Sequence, residues 1–145
     1  MKMVLLLPIL FVLFSSITLQ AQWEQTNGPS NIGISSLVFS DTILIAGTTW
    51  DGVYRSTNNA VMWNPVNMGL TSHRVYSVAV SSGTSRTMYA GTDGGLFLST
   101  DDGTTWIASS SVLGNIPVQT IVINSEKPEQ VFVGTRGYGA YYFQQ

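Results

Sequence analysis

The chain has 145 residues, with six basic and eight acidic side chains, one histidine and no cysteine. The lack of cysteine excludes disulfides and thiolate metal sites, and the lack of any basic patch or run argues against nucleic acid or an anionic membrane as partner. Gly, Ser, Thr and aromatic residues are plentiful, a balance that favours strands and tight turns over helices.

The chain opens with Lys2, an apolar run from Met3 to Phe14, then Ser15, Ser16 and a tail ending at Ala21. One positive charge, about a dozen apolar residues and a small residue at the boundary read as a secretory signal peptide over 1–21, cut after Ala21. A retained membrane anchor is the alternative, but the run is shorter than the ~20 residues a bilayer needs and is broken by Pro8. The expected mature domain, 22–145, is then secreted or periplasmic, with no membrane span. It carries five basic side chains against eight acidic ones. Without disulfides, an exported domain draws its stability from packing or assembly.

The rest of the chain repeats itself. A first element reads Ile34–Ser40, Val75–Ser81 and Val118–Asn124, and a second reads Ile43–Thr48, Met88–Thr92 and Val131–Thr135. A third follows at Gly52–Thr57, Gly95–Thr100 and Gly139–Phe143, and a fourth is marked by Trp63 and Trp106, with Trp23 as counterpart ahead of the first. We name these A to D. Four β-branched and aromatic runs per unit, divided by Gly, Asn, Asp and Pro, predict four antiparallel strands. Strands A and B are nearly continuous in apolar residues, as expected between neighbouring sheets. A period of roughly 40–45 residues with four strands marks a β-propeller blade. The expected fold is all-β, about three four-stranded blades, with repeats near 23–62, 63–105 and 106–145. A β-sandwich with coincidental similarity is the competing reading.

Between strands C and D of the second repeat lies Ser99-Thr-Asp101-Asp-Gly103-Thr-Thr-Trp106. The first repeat has Ser56, Asn58, Ala60 and Trp63 at the matching places. An Asp or Asn side-chain oxygen can accept from backbone N–H groups two residues on, and Gly supplies a positive φ. The Trp ring is expected to close the turn by packing onto the sheet. Ala60 replaces that Gly, so the first turn is expected to be reshaped. The pattern resembles the Asp-box (BNR-repeat) propellers, which include sialidases, sortilin-like receptors, xyloglucan-hydrolysing enzymes and many exported bacterial proteins. The resemblance covers the whole mature chain and implies that Ser56, Asn58, Trp63, Ser99, Asp101, Gly103 and Trp106 are structural. A calcium loop at Asp101-Asp102-Gly103 lacks further oxygen ligands at loop spacing, and no cofactor or metal is expected.

Closed propellers use about four to eight blades. The mature chain starts in a D-type segment at Trp23 and stops after a C-type strand. Two explanations are open: two copies complete a six-bladed ring by lending each other the Trp23 strand, or the sequence is part of a longer propeller.

The resemblance implies that D–A and B–C loops share one face, with Asp-box and A–B turns on the other. The loop face would gather Trp50, Asp51, His73, Arg74, Asp93, Arg136 and Tyr138. Aromatics beside charged hydrogen-bonding groups suit a glycan or a peptide, although solvated turn residues would look the same. Sialidases of this group use three arginines, a Tyr–Glu pair and an aspartic acid, with an Arg-Ile-Pro tripeptide. That tripeptide is missing here, Arg55 falls in strand C, and Arg86, Glu126 and Glu129 fall in A–B turns. A glycosidase needs two carboxylates across a cleft, and Asp51 and Asp93 hold equivalent corners of adjacent blades. His73 has no partner at metal-ligand spacing. The expectation is a non-catalytic module for a glycan or protein partner, with no catalytic residue assigned. The alternatives are a truncated glycoside hydrolase, sialidase-like or xyloglucanase-like, and an assembly or scaffold factor.

Overall fold

The structure, a computed structural model, describes residues 21–82, 86–109 and 112–144. Most of the expected signal peptide therefore lies outside the described residues. The described chain is all-β: β1 (Ile34–Ser40), β2 (Ile43–Thr48), β3 (Val53–Ser56), β4 (Asn64–Pro65), β5 (Val75–Val80), β6 (Met88–Thr92), β7 (Gly95–Ser99), β8 (Ile107–Ala108), β9 (Val118–Ile123), β10 (Gln130–Thr135) and β11 (Ala140–Gln144). Two sheets have four strands each, in the orders β1-β2-β3-β4 and β5-β6-β7-β8. The third has three, in the order β9-β10-β11. All pairings are antiparallel.

The sheets stack in a row, β1 against β5 and β5 against β9. Strand alternation decides which side chain faces which neighbour. Val78 of β5 belongs to the core between the first and second sheets, with Ile45, Val53, Met88 and Phe97. Ala79, one residue on, packs into the core between the second and third, with Tyr89, Leu96, Val118, Ile121 and Val133. Two polar stitches join the inner strands: Ser35 Oγ donates to the Val75 carbonyl at 2.7 Å, and the Val78 N–H donates to Ser36 Oγ at 3.0 Å.

The first two B strands each carry a glycine where the next sheet comes closest. A Cβ on Gly47 would meet Val75 Cγ1 at 2.7 Å, and one on Gly91 would meet the Val118 carbonyl oxygen at 2.7 Å. These repeat glycines set the sheet-to-sheet distance.

Three expectations are corrected. Strand β1 is not buried: Leu37 and Phe39 are 59% and 58% exposed, because among the described residues no sheet precedes the first. Residues 21–33 form no strand, and Trp23 is fully exposed. The first turn is not reshaped either. Asn59 and Ala60 take φ of 55° and 64°, as Asp102 and Gly103 take 57° and 80°.

The hydrogen bonds explain that last result. Ser56 Oγ accepts from the Ala60 N–H at 3.0 Å and donates to Asn58 Oδ1, which accepts from the Met62 N–H at 2.9 Å. Ser99 Oγ does the same with the Gly103 N–H at 2.9 Å and Asp101 Oδ1, which accepts from the Thr105 N–H at 2.8 Å. The Asn or Asp oxygen thus reaches a donor four residues on, not two. Three hydrogen bonds hold Ala60 in a conformation that Ala disfavours by ~1–2 kcal/mol.

Candidate functional site

The loops between B and C strands are built alike. Thr48, Thr92 and Thr135, each following the repeat glycine, donate their Oγ1 to the carbonyls of Gly52, Gly95 and Gly139 at 2.8, 2.9 and 2.6 Å. Each threonine closes a short loop at the strand end, and the repeated Gly-Thr pair is the sequence mark of that closure. Backbone bonds then tie these loops to the D–A loops. The Gly52 N–H donates to the His73 carbonyl at 2.8 Å, the Asp93 N–H to the Arg74 carbonyl at 3.2 Å, and the Arg136 N–H to the Pro117 carbonyl at 2.9 Å. The two loop sets therefore do share one edge of the stack.

The Gly52–His73 bond crosses from the first sheet's loop to the second's, and it brings Arg74 to Trp50. The guanidinium carbon lies 3.7 Å from the centroid of the Trp50 ring, a cation–π stack. Arg74 is half-buried, while Trp50 keeps 65% of its surface exposed. The result is a platform with one aromatic face braced by a cation and the rest open to solvent.

Asn67, which the sequence reading missed, braces the loop that carries Asp51. Its Oδ1 accepts from the Val53 N–H at 2.7 Å and its Nδ2 donates to the Asp51 carbonyl at 2.9 Å. Ser72, also missed, donates its hydroxyl to Asp93 Oδ1. An Asn in a D–A loop beside a positive-φ Gly52 is the available clue to the first. Nothing in the spacing marks the second. His73 is exposed and contributes its backbone carbonyl. Arg136 and Tyr138 sit exposed in the third B–C loop, and the Arg136 N–H ties that loop to the edge. Among the described residues, no group of three or more His, Cys, Asp or Glu could hold a metal ion.

The opposite edge carries different chemistry. Arg86 Nη1 lies 3.2 Å from Asp41 Oδ2, and its Nε lies 3.1 Å from Asp102 Oδ1. Arg55 Nη1 donates to the Asp102 carbonyl at 2.7 Å. Arg86 ties two A–B turns to the Ser99–Trp106 turn and Arg55 ties β3 to it, so neither is available to the Trp50 edge. In that turn, hydrogen bonds from the Thr105 hydroxyl and backbone, then from Ser99, lower the Asp101 carboxyl to about 2.

Trp106 does more than cover its own turn. Its ring is buried, and its Nε1 donates to the Val66 carbonyl of the first sheet at 2.7 Å. The ring covers Gly103 of its own turn and also joins two sheets.

No protein-family model matches the chain. A xyloglucanase of Hypocrea jecorina is 32% identical over 99 residues, covering 64% of this chain and 12% of that enzyme. An ancestral GH74 enzyme superposes with a TM-score of 0.65 at 24% identity, over 71% of this chain and 13% of that one. The extracellular domain of a one-component system from B. thetaiotaomicron gives 0.62 at 19% identity, over 83% and 16%. The chain spans about an eighth of the length of the enzymes it resembles. Its three stacked antiparallel sheets are blades of a β-propeller.

Proposed function

We propose that the chain is an exported propeller segment of glycoside-hydrolase type, whose loop edge holds a xyloglucan-like polysaccharide. The observation that carries this reading is the Arg74–Trp50 stack, a braced and exposed aromatic ring. The C–H face of a pyranose ring packs on such a ring, and nearby Asp51 and Asp93 offer acceptors for its hydroxyls. The likeness to a xyloglucanase supports the ligand class. The Ser99–Trp106 turn and its Ser56–Trp63 counterpart, identified with the Asp box, form the scaffold on the other edge. Export rests on the composition of residues 1–21.

Electrophoresis through gels with and without xyloglucan tests the reading. The chain is retarded by the polysaccharide, and Trp50→Ala abolishes the retardation without changing mobility in the blank gel. Equal mobility of the two proteins in xyloglucan overturns it and leaves a protein partner or a scaffold role.

A second reading, in which the loop edge takes part in hydrolysis, is favoured by the placing of Asp51 and Asp93 in matching loops of adjacent sheets. Release of reducing ends from xyloglucan, lost in Asp51→Asn and Asp93→Asn but with binding retained, supports it.

A further inference from the structure

Four glycines of this chain directly follow an Asn or an Asp: Gly28, Gly52, Gly94 and Gly103. A glycine nitrogen in that position can attack the side-chain carbonyl carbon before it, because no Cβ on the glycine stands in the way. A nitrogen already held in a hydrogen bond cannot swing round to do so until the loop opens locally.

Three of the four nitrogens are held. The Gly52 N–H donates to the His73 carbonyl at 2.8 Å, the Gly94 N–H to Thr92 Oγ1 at 3.1 Å and the Gly103 N–H to Ser99 Oγ at 2.9 Å. Each of these bonds closes a loop or turn of the repeat, so freeing the nitrogen means opening that closure. The residues before them, Asp51, Asp93 and Asp102, are carboxylates, whose charge repels a nucleophile. Ser72 further holds the Asp93 carboxylate and Arg86 that of Asp102.

The Asn27–Gly28 pair differs in every respect. Its side chain is a neutral amide, it is exposed, and residues 21–33 belong to no strand. The Thr26 hydroxyl donates to the Gly28 carbonyl at 3.2 Å, but among the described residues nothing accepts from the Gly28 N–H. Asn58, Asn67 and Asn124 are not equivalent to it. Their side-chain oxygens accept backbone N–H groups, and the residue after each carries a side chain.

We propose that Asn27 is a site of spontaneous deamidation. The Gly28 nitrogen bonds to Asn27 Cγ and loses its proton, and the side-chain amide leaves as ammonia, closing a succinimide ring. Water then opens the ring in one of two ways. Attack at Cγ breaks the new bond and leaves aspartate. Attack at the main-chain carbon breaks the original peptide bond and leaves isoaspartate, whose backbone runs through the side chain and is one carbon longer. Asparagine and water become an acid and ammonia, with no change of oxidation state. Either product adds a negative charge to the 27–33 loop, whose Gly33 carbonyl accepts from the Thr49 N–H next to Trp50. The longer backbone also enters beside Trp63, whose Cδ1 lies 4.0 Å from a Cβ placed on Gly28.

Incubation of the full chain at neutral pH, followed by digestion and mass spectrometry, tests this, with isoaspartate read by an isoaspartate-specific methyltransferase. The peptide carrying Asn27 splits into two acidic products, faster at higher pH because the deprotonated nitrogen attacks. Conversion in the folded protein proceeds within about tenfold of its rate in urea, as for a loop with no bond to open. The peptides carrying Asp51, Asp93 and Asp102 gain no isoaspartate over the same interval. Asn27→Gln, whose ring would need six members, removes the acidic products and keeps the strand spectrum. An Asn27 that stays intact in the folded protein while it converts in urea, or isoaspartate arising first at Asp51, Asp93 or Asp102, overturns the proposal.

Discussion

The indole N–H of Trp106 lies 2.7 Å from the carbonyl oxygen of Val66, across the boundary between the second sheet and the first. The two residues are 40 apart in sequence, so this bond registers one repeat against the next. A buried aromatic with a satisfied polar atom contributes through both area and hydrogen bond. Trp106→Phe is expected to cost about 1 kcal/mol, and Trp106→Ala about 3–5 kcal/mol. Urea unfolding measures both, and an unchanged stability in Trp106→Phe would show that the hydrogen bond contributes nothing.

The pair of matching turns gives a controlled comparison of backbone strain. Ala60 holds φ at 64° where Gly103 holds 80°. Relieving a side chain of positive φ is worth about 1 kcal/mol, and imposing it costs at least as much. Ala60→Gly is therefore expected to raise the unfolding midpoint and Gly103→Ala to lower it. The hydrogen bonds of both turns accept either residue.

Gly91 faces the Val118 carbonyl oxygen, with only 2.7 Å available to a Cβ. Backbone cannot yield as a flexible side chain can. Gly91→Ala is expected to destabilise by about 1–3 kcal/mol through overpacking. Calorimetry should show this loss, whereas Gly137→Ala, with open space around its site, meets only the strain of its own φ.

Acid sensitivity follows from Asp101, whose carboxyl is lowered to about 2 by the Thr105 hydroxyl and backbone and by Ser99. A folded-state value below the unfolded one, near 3.9, adds stability that is fully present above pH ~4. That contribution is lost as pH falls through about 2. Asp101→Asn keeps the acceptor that Asn58 uses in the first turn, so its stability should fall less than the parent's across this window. Identical pH profiles for the two proteins would show that the turn does not respond to the charge.

The fold was legible because the repeat is written in residues that geometry constrains. Gly47 and Gly91 are needed for close sheet approach, Thr48, Thr92 and Thr135 for loop closure, and Ser99, Asp101 and Trp106 for a turn and joint. Burial of β1 was not legible, because Leu37 and Phe39 look alike whether or not a neighbour covers them. The first turn misled because the penalty on Ala60 is visible in its identity, whereas the Ser56 and Asn58 bonds that offset it depend on three-dimensional closure. Of the site, Trp50, Asp51, Arg74 and Asp93 were placed by repeat phase. Ser72 and Asn67 act through one hydrogen bond or two across loops, which spacing does not encode.

The Trp50 edge is the proposed glycan platform. Titration of a xyloglucan oligosaccharide into the isotope-labelled chain, followed by amide and indole chemical shifts, tests it most directly. Saturable shifts are expected at the Trp50 indole and at the Gly52, Arg74 and Asp93 amides, with the Asp101–Thr105 turn unmoved. Shifts confined to that turn, or no shifts at millimolar oligosaccharide, would contradict it.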